Sequence, residues 1–140
     1  MPQTTLAPTA ELTREQRVGL YRVIYAARRI DDREIIGKRQ NKVFFQINGV
    51  GHEAVQAAAA LLLRPGHDWF FLYYRDRALC YGLGYSAREM FLGSVGAADD
   101  PASGGRQMPS HWGHAGLNVF TVSSPTGSQF LQAVGAVEAV

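Results

Sequence analysis

Apolar residues along the chain recur first with a helical period. Leu20, Val23, Ile24, Ala27 and Ile30 share one face, and arginines occupy the others. Thr13 followed by Gln16 reads as a capping box, since hydroxyl and amide can each satisfy a free N–H. The pattern predicts a helix from this cap to the region of Gly37 to Arg39. Residues 44–49, Phe-Phe-Gln-Ile-Asn-Gly, read as a loop or extended piece, broken by Gly49 and Gly51. Residues 51–63 are strong helix formers, with an alanine stripe suited to close packing and Glu53 in the first turn. After a turn at 64–68, the aromatic run 69–73 predicts a compact strand closed by Tyr74-Arg75-Asp76. A helix over 77–83 and another from the Ser86 cap, with Glu89 three residues on, follow. A turn-rich loop at 99–105 leads to a β-prone run at 119–122, a polar turn at 123–128 and a final amphipathic segment. Residues 1–12, with Pro2 and Pro8, read as a flexible arm, and 13–140 as one domain.

Composition narrows the class. At 140 residues and 46% hydrophobic, the chain has the length and apolar content of one domain with a buried core. A formal net charge of +2, with basic residues interleaved among acids, argues against nucleic acid or a membrane as the main partner. Cys80, between Leu79 and Tyr81, reads as a buried thiol rather than a disulfide or metal ligand. No run is long and apolar enough to span a bilayer, and the first residues lack a signal core or an Arg-rich transit pattern. A cytoplasmic protein is the expectation.

Candidate chemistry concentrates in residues 106–135. A basic loop there carries His111 and His114, and the turn Ser123-Ser124-Pro125-Thr126-Gly127-Ser128 precedes the last helical segment. Short hydroxyl residues and glycine before a helix expose N–H groups to a polar or anionic ligand. From the turn alone, simple helix capping is the favoured alternative. Tyr74-Arg75-Asp76, polar residues at the end of an aromatic strand, stand where α/β proteins meet ligands. The Arg75 fork could hold two diphosphate oxygens; the alternative is a surface ion pair.

The order of these pieces is more specific than any one of them. GHEAVQAAAALLLRPGHDWFFLYYRDRA, then Gly-Leu-Gly-Tyr, SGGRQMPSHWG and TVSSPTGSQFLQAVGA resemble the alpha subunit of the decarboxylating first component of 2-oxo acid dehydrogenase complexes. The resemblance runs from Thr13 to Val140. The RQMP-x-H form and the following SSP-x-x-x-Q are similar to the branched-chain (2-oxoisovalerate) type. The resemblance implies an α/β chain, the truncated N-terminal part of a thiamine diphosphate-binding fold with helices packed on a parallel sheet. It implies that Tyr74 and Arg75 contact the cofactor diphosphate, that Ser124 touches the cofactor, and that Thr126 helps hold it bent. Thr126 departs from the family's usual apolar residue. Ser123, Pro125, Ser128 and Gln129 match a potassium site of hydroxyl, carbonyl and amide oxygens, ligands that suit a hard cation. Ser128 stands where threonine is usual. His111 matches a histidine lining the substrate and lipoyl channel, whereas His114 has no counterpart and reads as a loop residue.

Magnesium is implied too, held in the family by a Gly-Asp-Gly segment and a later Asn. That Gly-Asp-Gly does not occur in this chain, so the ligands are expected beyond Val140 and the chain alone is expected to be inactive. The carboxylate that activates the cofactor is expected from a beta subunit or fused beta domain. The other implied partners are a 2-oxo acid substrate and a lipoyl-bearing acyltransferase, with no nucleic acid and no membrane. A pyruvate or acetoin dehydrogenase alpha subunit is the alternative within the class. A noncatalytic helical interaction module is the alternative outside it.

Overall fold

The computed structural model describes residues 11–139, so most of the expected arm at 1–12 lies outside it. Helix α1 spans Arg14–Arg39, opened by the Thr13–Gln16 capping box. Gln16 N–H donates to Thr13 Oγ1 at 3.1 Å, and Thr13 N–H donates to Gln16 Oε1 at 2.9 Å. Helix α2 covers Glu53–Ala60, shorter than the 51–63 pattern. Gly51 sits at a positive φ of 93°, which holds it outside the helix.

Strand β1 is Phe70–Phe71 and pairs in parallel with β2, Val119–Phe120. Both are shorter than the runs 69–73 and 119–122 predicted. Just past the ladder, Tyr73 N–H donates to the Asp76 carboxylate at 2.8 Å, which closes the turn into the next helix. Helices α3 (Arg77–Gly82) and α4 (Ala87–Ser94) follow β1, and α4 opens with the Ser86–Glu89 capping box. A 3-10 turn at Ala115–Leu117 precedes β2, and α5 spans Ser128–Glu138.

The core gathers Ile30 of α1, Phe70 and Leu72, Cys80 and Leu83 of α3, Tyr85, Met90 of α4, Trp112 and Val119. Cys80 is fully buried, and burial pushes its thiol well up, as an inert core cysteine requires. The alanine stripe of α2 works as its composition suggests: Ala57 is buried, and Gly82 of α3 comes against Ala60. A Cβ on Gly82 would lie 2.5 Å from the Ala60 Cβ. Gly82→Ala gains about 1 kcal/mol of helix propensity, yet the overlap involves a Cβ fixed to the backbone and outweighs it. The variant is expected to lose about 1–3 kcal/mol. Ala60→Gly in the same chain should recover the loss; if the single variant melts no lower than the parent, the close packing is disproved.

Among the described residues, charge is buried most deeply around Arg77. Arg77, 1% exposed, lies between Asp31 and Glu34 on the inward face of α1. Its Nη2 donates to Glu34 Oε2 at 2.6 Å, while its Nε lies 2.8 Å from Asp31 Oδ1 but off the line of a hydrogen bond. The Ser94 hydroxyl of α4 donates to Glu34 Oε1, and Gly49 N–H donates to Asp31 Oδ2 at 3.0 Å. Arg77 also faces the Trp112 ring at 5.4 Å and the Ser110 hydroxyl at 3.4 Å. Helices α1, α3 and α4, the segment at Gly49 and the loop around His111 thus converge on one guanidinium.

Candidate functional site

Parallel pairing puts the C-terminal ends of both strands on one edge. Phe70 pairs with Val119 and Phe71 with Phe120, so the chain leaves β1 toward Tyr74 and β2 toward Ser124 side by side. His111, 7% exposed, stands between the two exits. Its Nε2 lies 2.6 Å from Ser124 Oγ, its Nδ1 lies 3.2 Å from the Pro109 carbonyl, and its ring stacks on Tyr74 with centroids 6.4 Å apart. A carbonyl only accepts, so the neutral ring carries its proton on Nδ1, and the Ser124 hydroxyl donates to the bare Nε2.

Tyr74 in turn carries the Arg75 guanidinium 5.4 Å above its ring. Polar contacts with Tyr73 first, then with Thr126, pull its phenol below the ordinary tyrosine range. Arg75 Nη1 donates to the Asn48 carbonyl at 2.8 Å, and among the described residues no carboxylate lies within salt-bridge distance of it. The surface ion pair weighed for Arg75 is therefore not formed. Asp76 serves the backbone: it accepts Tyr73 N–H and the Gln56 amide, each within 3.0 Å. Burial pushes the Asp76 carboxyl up, and the Tyr73 N–H bond opposes that shift.

Gln56 is a residue the sequence did not announce. From α2 its Nε2 donates to the Arg75 carbonyl (3.0 Å), and its Oε1 accepts Ala78 N–H (3.1 Å) and Leu79 N–H (3.4 Å). It thereby caps α3 and fixes the bend that presents Arg75. Arg77, with Asp31 and Glu34, was missed as well. The usable signal was two acids on the same helical face as Ala27 and Ile30, where a buried carboxylate demands a cation.

The polar turn differs from the simple capping alternative. The residue before α5 is Gly127 at φ 94°, a left-handed conformation natural to glycine, with no side-chain cap. Ser128 Oγ instead donates to the Ser123 carbonyl at 3.2 Å, Ser128 N–H donates to the Pro125 carbonyl at 3.2 Å, and Gly127 N–H donates to Gln129 Oε1 at 3.0 Å. Oxygens of Ser123, Pro125, Ser128 and Gln129 are thus gathered in a single turn, without a carboxylate among them. Ser124 and Thr126 stay exposed on it. His114 is more than a loop residue, since its backbone exchanges both hydrogen bonds with Val119 (2.9 and 3.1 Å) and its ring lies edge-on to Tyr85.

The strand-end cluster therefore offers one unpaired guanidinium, a phenol and a hydroxyl, with no opposing carboxylate, which suits an anion carrying several oxygens. Comparison with known proteins bears on the family of the whole chain. The model of the dehydrogenase E1 component family matches residues 21–140. The chain is 39% identical over 124 residues to 2-oxoisovalerate dehydrogenase subunit alpha of Bacillus subtilis, covering 89% of this chain and 38% of that protein. It is 31% identical over 125 residues to the protein of the same name from Pseudomonas aeruginosa, covering 89% of this chain and 30% of the relative. With 2-oxoisovalerate dehydrogenase subunit alpha 2, mitochondrial, of Arabidopsis thaliana the identity is 32% over 126 residues, covering 90% of this chain and 26% of the other. The chain thus spans between about a quarter and two fifths of the length of these relatives.

Proposed function

The chain belongs to the dehydrogenase E1 component family, and from that premise we propose that it is alpha-subunit sequence of a branched-chain 2-oxo acid dehydrogenase. In this reading the whole enzyme decarboxylates a 2-oxo acid oxidatively with thiamine diphosphate and passes the acyl group to a lipoyl arm. It works with a beta subunit or fused beta domain and a lipoyl-bearing acyltransferase. The relatives' names support the branched-chain substrate. The observation that carries the site is the shared edge where Tyr74, Arg75, His111 and Ser124 meet without a carboxylate facing the guanidinium. Helices on a two-stranded parallel sheet are consistent with part of a thiamine diphosphate-binding fold.

When bound, thiamine diphosphate would supply the electron sink for loss of carbon dioxide. The residues of this chain would bind and orient. Arg75 and Tyr74 would hold diphosphate oxygens, and Ser124 and Thr126 would line the cofactor. His111 would hold the Ser124 rotamer through Nε2 while facing the substrate channel. The oxygens of Ser123, Pro125, Ser128 and Gln129 suit a potassium ion, which would order the turn carrying Ser124 and Thr126. Magnesium would supply the further positive charge that a diphosphate needs beyond Arg75, and the Gly-Asp-Gly expected to hold it is not among the residues of this chain.

The reaction is tested on the full-length protein assembled with its partner. Turnover of branched-chain 2-oxo acids that needs thiamine diphosphate and exceeds turnover of pyruvate is the expected result. A preference for pyruvate would select the alternative substrate, and no turnover of either would reject the reading. Potassium supplies a second test. A cation that binds only the ordered turn stabilises it by mass action. Ser128→Ala should therefore raise the potassium needed for activity without abolishing activity at saturation, whereas Thr126→Leu should leave that requirement unchanged. Identical activity curves in potassium and sodium would remove the ion site.

A further inference from the structure

Interleaved charges in the sequence conceal an asymmetry that folding creates. Helix α1 holds eight basic and four acidic residues, a net +4 against +2 for the whole chain. Two of those acids, Asp31 and Glu34, are buried against Arg77 of α3, so the solvent face of α1 keeps the cations and loses half of the acids. Of the remaining two, Asp32 pairs with Arg29 and Glu15 lies in the first turn. Arg14, Arg17, Arg22 and Arg33 have no carboxylate within salt-bridge distance among the described residues. Residues 1–10 contain no Asp or Glu that could supply one.

The same face carries apolar surface. Val18, Tyr21, Tyr25 and Ile36 are 41%, 65%, 52% and 41% exposed. Their spacing of three, four and eleven residues places them on one ridge, because 3.6 residues make a turn. The Tyr21 and Tyr25 rings stack with centroids 6.0 Å apart, and the Arg29 guanidinium lies 5.6 Å from the Tyr25 ring. A solvated helix face needs charges but not an aromatic and aliphatic ridge between them.

We propose that this outward face of α1 docks an acid-flanked amphipathic helix of a protein partner. Tyrosine and arginine are the residues enriched in protein interfaces, and an apolar ridge between cations matches an apolar ridge between carboxylates. Helix α1 is about 39 Å long at 1.5 Å per residue, enough for a paired helix of several turns. A membrane surface fits less well, because the main apolar face of α1 is already buried in the core and arginines share the face left over. A nucleic acid fits less well too. Val18 and Ile36 offer a phosphate backbone nothing, and Asp32 sits on the ridge line.

The proposal is independent of catalysis, and its assay reads binding alone. The full-length protein is titrated by fluorescence anisotropy with a labelled helical peptide bearing leucines at i, i+3 and i+4 and glutamates beside them. A scrambled peptide of equal composition, a single-stranded oligonucleotide and anionic vesicles are run in parallel. The expected result is binding at least tenfold tighter to the patterned peptide than to the scramble, weakened by salt. Arg17→Glu with Arg22→Glu should abolish it, and Tyr21→Ser with Tyr25→Ser should weaken it several-fold. All four positions are exposed, so the melting temperature should stay near the parent's. Equal binding of both peptides, tighter binding of the oligonucleotide or vesicles, or full binding by the charge-reversed variant overturns the proposal.

Discussion

Arg77→Met will leave the protein largely unfolded at neutral pH and partly restored in mildly acidic buffer. The substitution keeps the bulk in the core but strands Asp31 and Glu34, each 1% exposed, without their cation. Breaking a buried pair from one side costs about 3–5 kcal/mol, a large part of the stability of a domain this size. The pH signature follows from the carboxyls. Burial pushes both above the usual carboxylate range, and Arg77 is the main influence holding them down. A raised folded value means that the folded protein keeps protons the unfolded chain has released, so stability falls as pH rises through that window. Without Arg77 the two values climb further, the window widens upward, and acid recovers more of the variant than of the parent. Asp31→Asn with Glu34→Gln in the Arg77→Met background should recover much of the loss at neutral pH, since no buried charge remains. Denaturant melts in neutral and mildly acidic buffer decide the matter. A variant that melts with the parent at neutral pH, or gains nothing in acid, would show that Arg77 does not hold the cluster together.

Arg75→Ala carries the second large expected effect, on ligand binding rather than on folding. In the full-length protein assembled with its partner, the change should weaken thiamine diphosphate binding about tenfold or more. A hydrogen bond to a charged group contributes roughly 1.5–3 kcal/mol. Arg75→Lys should recover only part of the affinity, because a point charge cannot reproduce the planar fork. The structure also supplies the competing account, since Arg75 Nη1 already donates to the Asn48 carbonyl. Were that its main duty, Arg75→Ala would lower the melting temperature and leave cofactor affinity unchanged. Calorimetric titration and a thermal melt on the same preparation separate the two.

Local signals were legible in the sequence wherever the cause is local. Both capping boxes, at Thr13–Gln16 and Ser86–Glu89, form as their residue spacing requires. The end of α1 and the inert Cys80 also agree with their patterns. Agreement weakened where long-range partners decide. The aromatic run at 69–73 promised a five-residue strand, but only Phe70 and Phe71 pair with β2, and by Tyr73 the backbone has turned to bond Asp76. The hydroxyls of 123–128 suggested a cap, yet Gly127 takes the cap position by its positive φ and frees Ser128 to bond Ser123. Tyr74, Arg75, His111 and Ser124 entered through ordered motifs. Their proximity and the Ser124–His111 bond are properties of the fold, since no spacing in the chain brings residue 74 beside residue 111. Gln56 and Arg77 had no motif at all. They act across elements, and one-dimensional patterns record only neighbours.

The two strands whose exits frame the site meet across a long stretch of chain. Phe71 and Phe120 pair although 49 positions separate them. A loop of that size must close before the ladder returns any energy, so nucleation there is slow relative to the capped helices on either side. The helices should form early, and the strand pairing, with the neighbourhood of Arg75 and Ser124, late. Refolding followed by amide exchange should accordingly protect α1 before the amides of residues 70 and 119. A molecule that touches both exits at once would speed nothing in the early phase, but it would slow the reopening of the last-formed part.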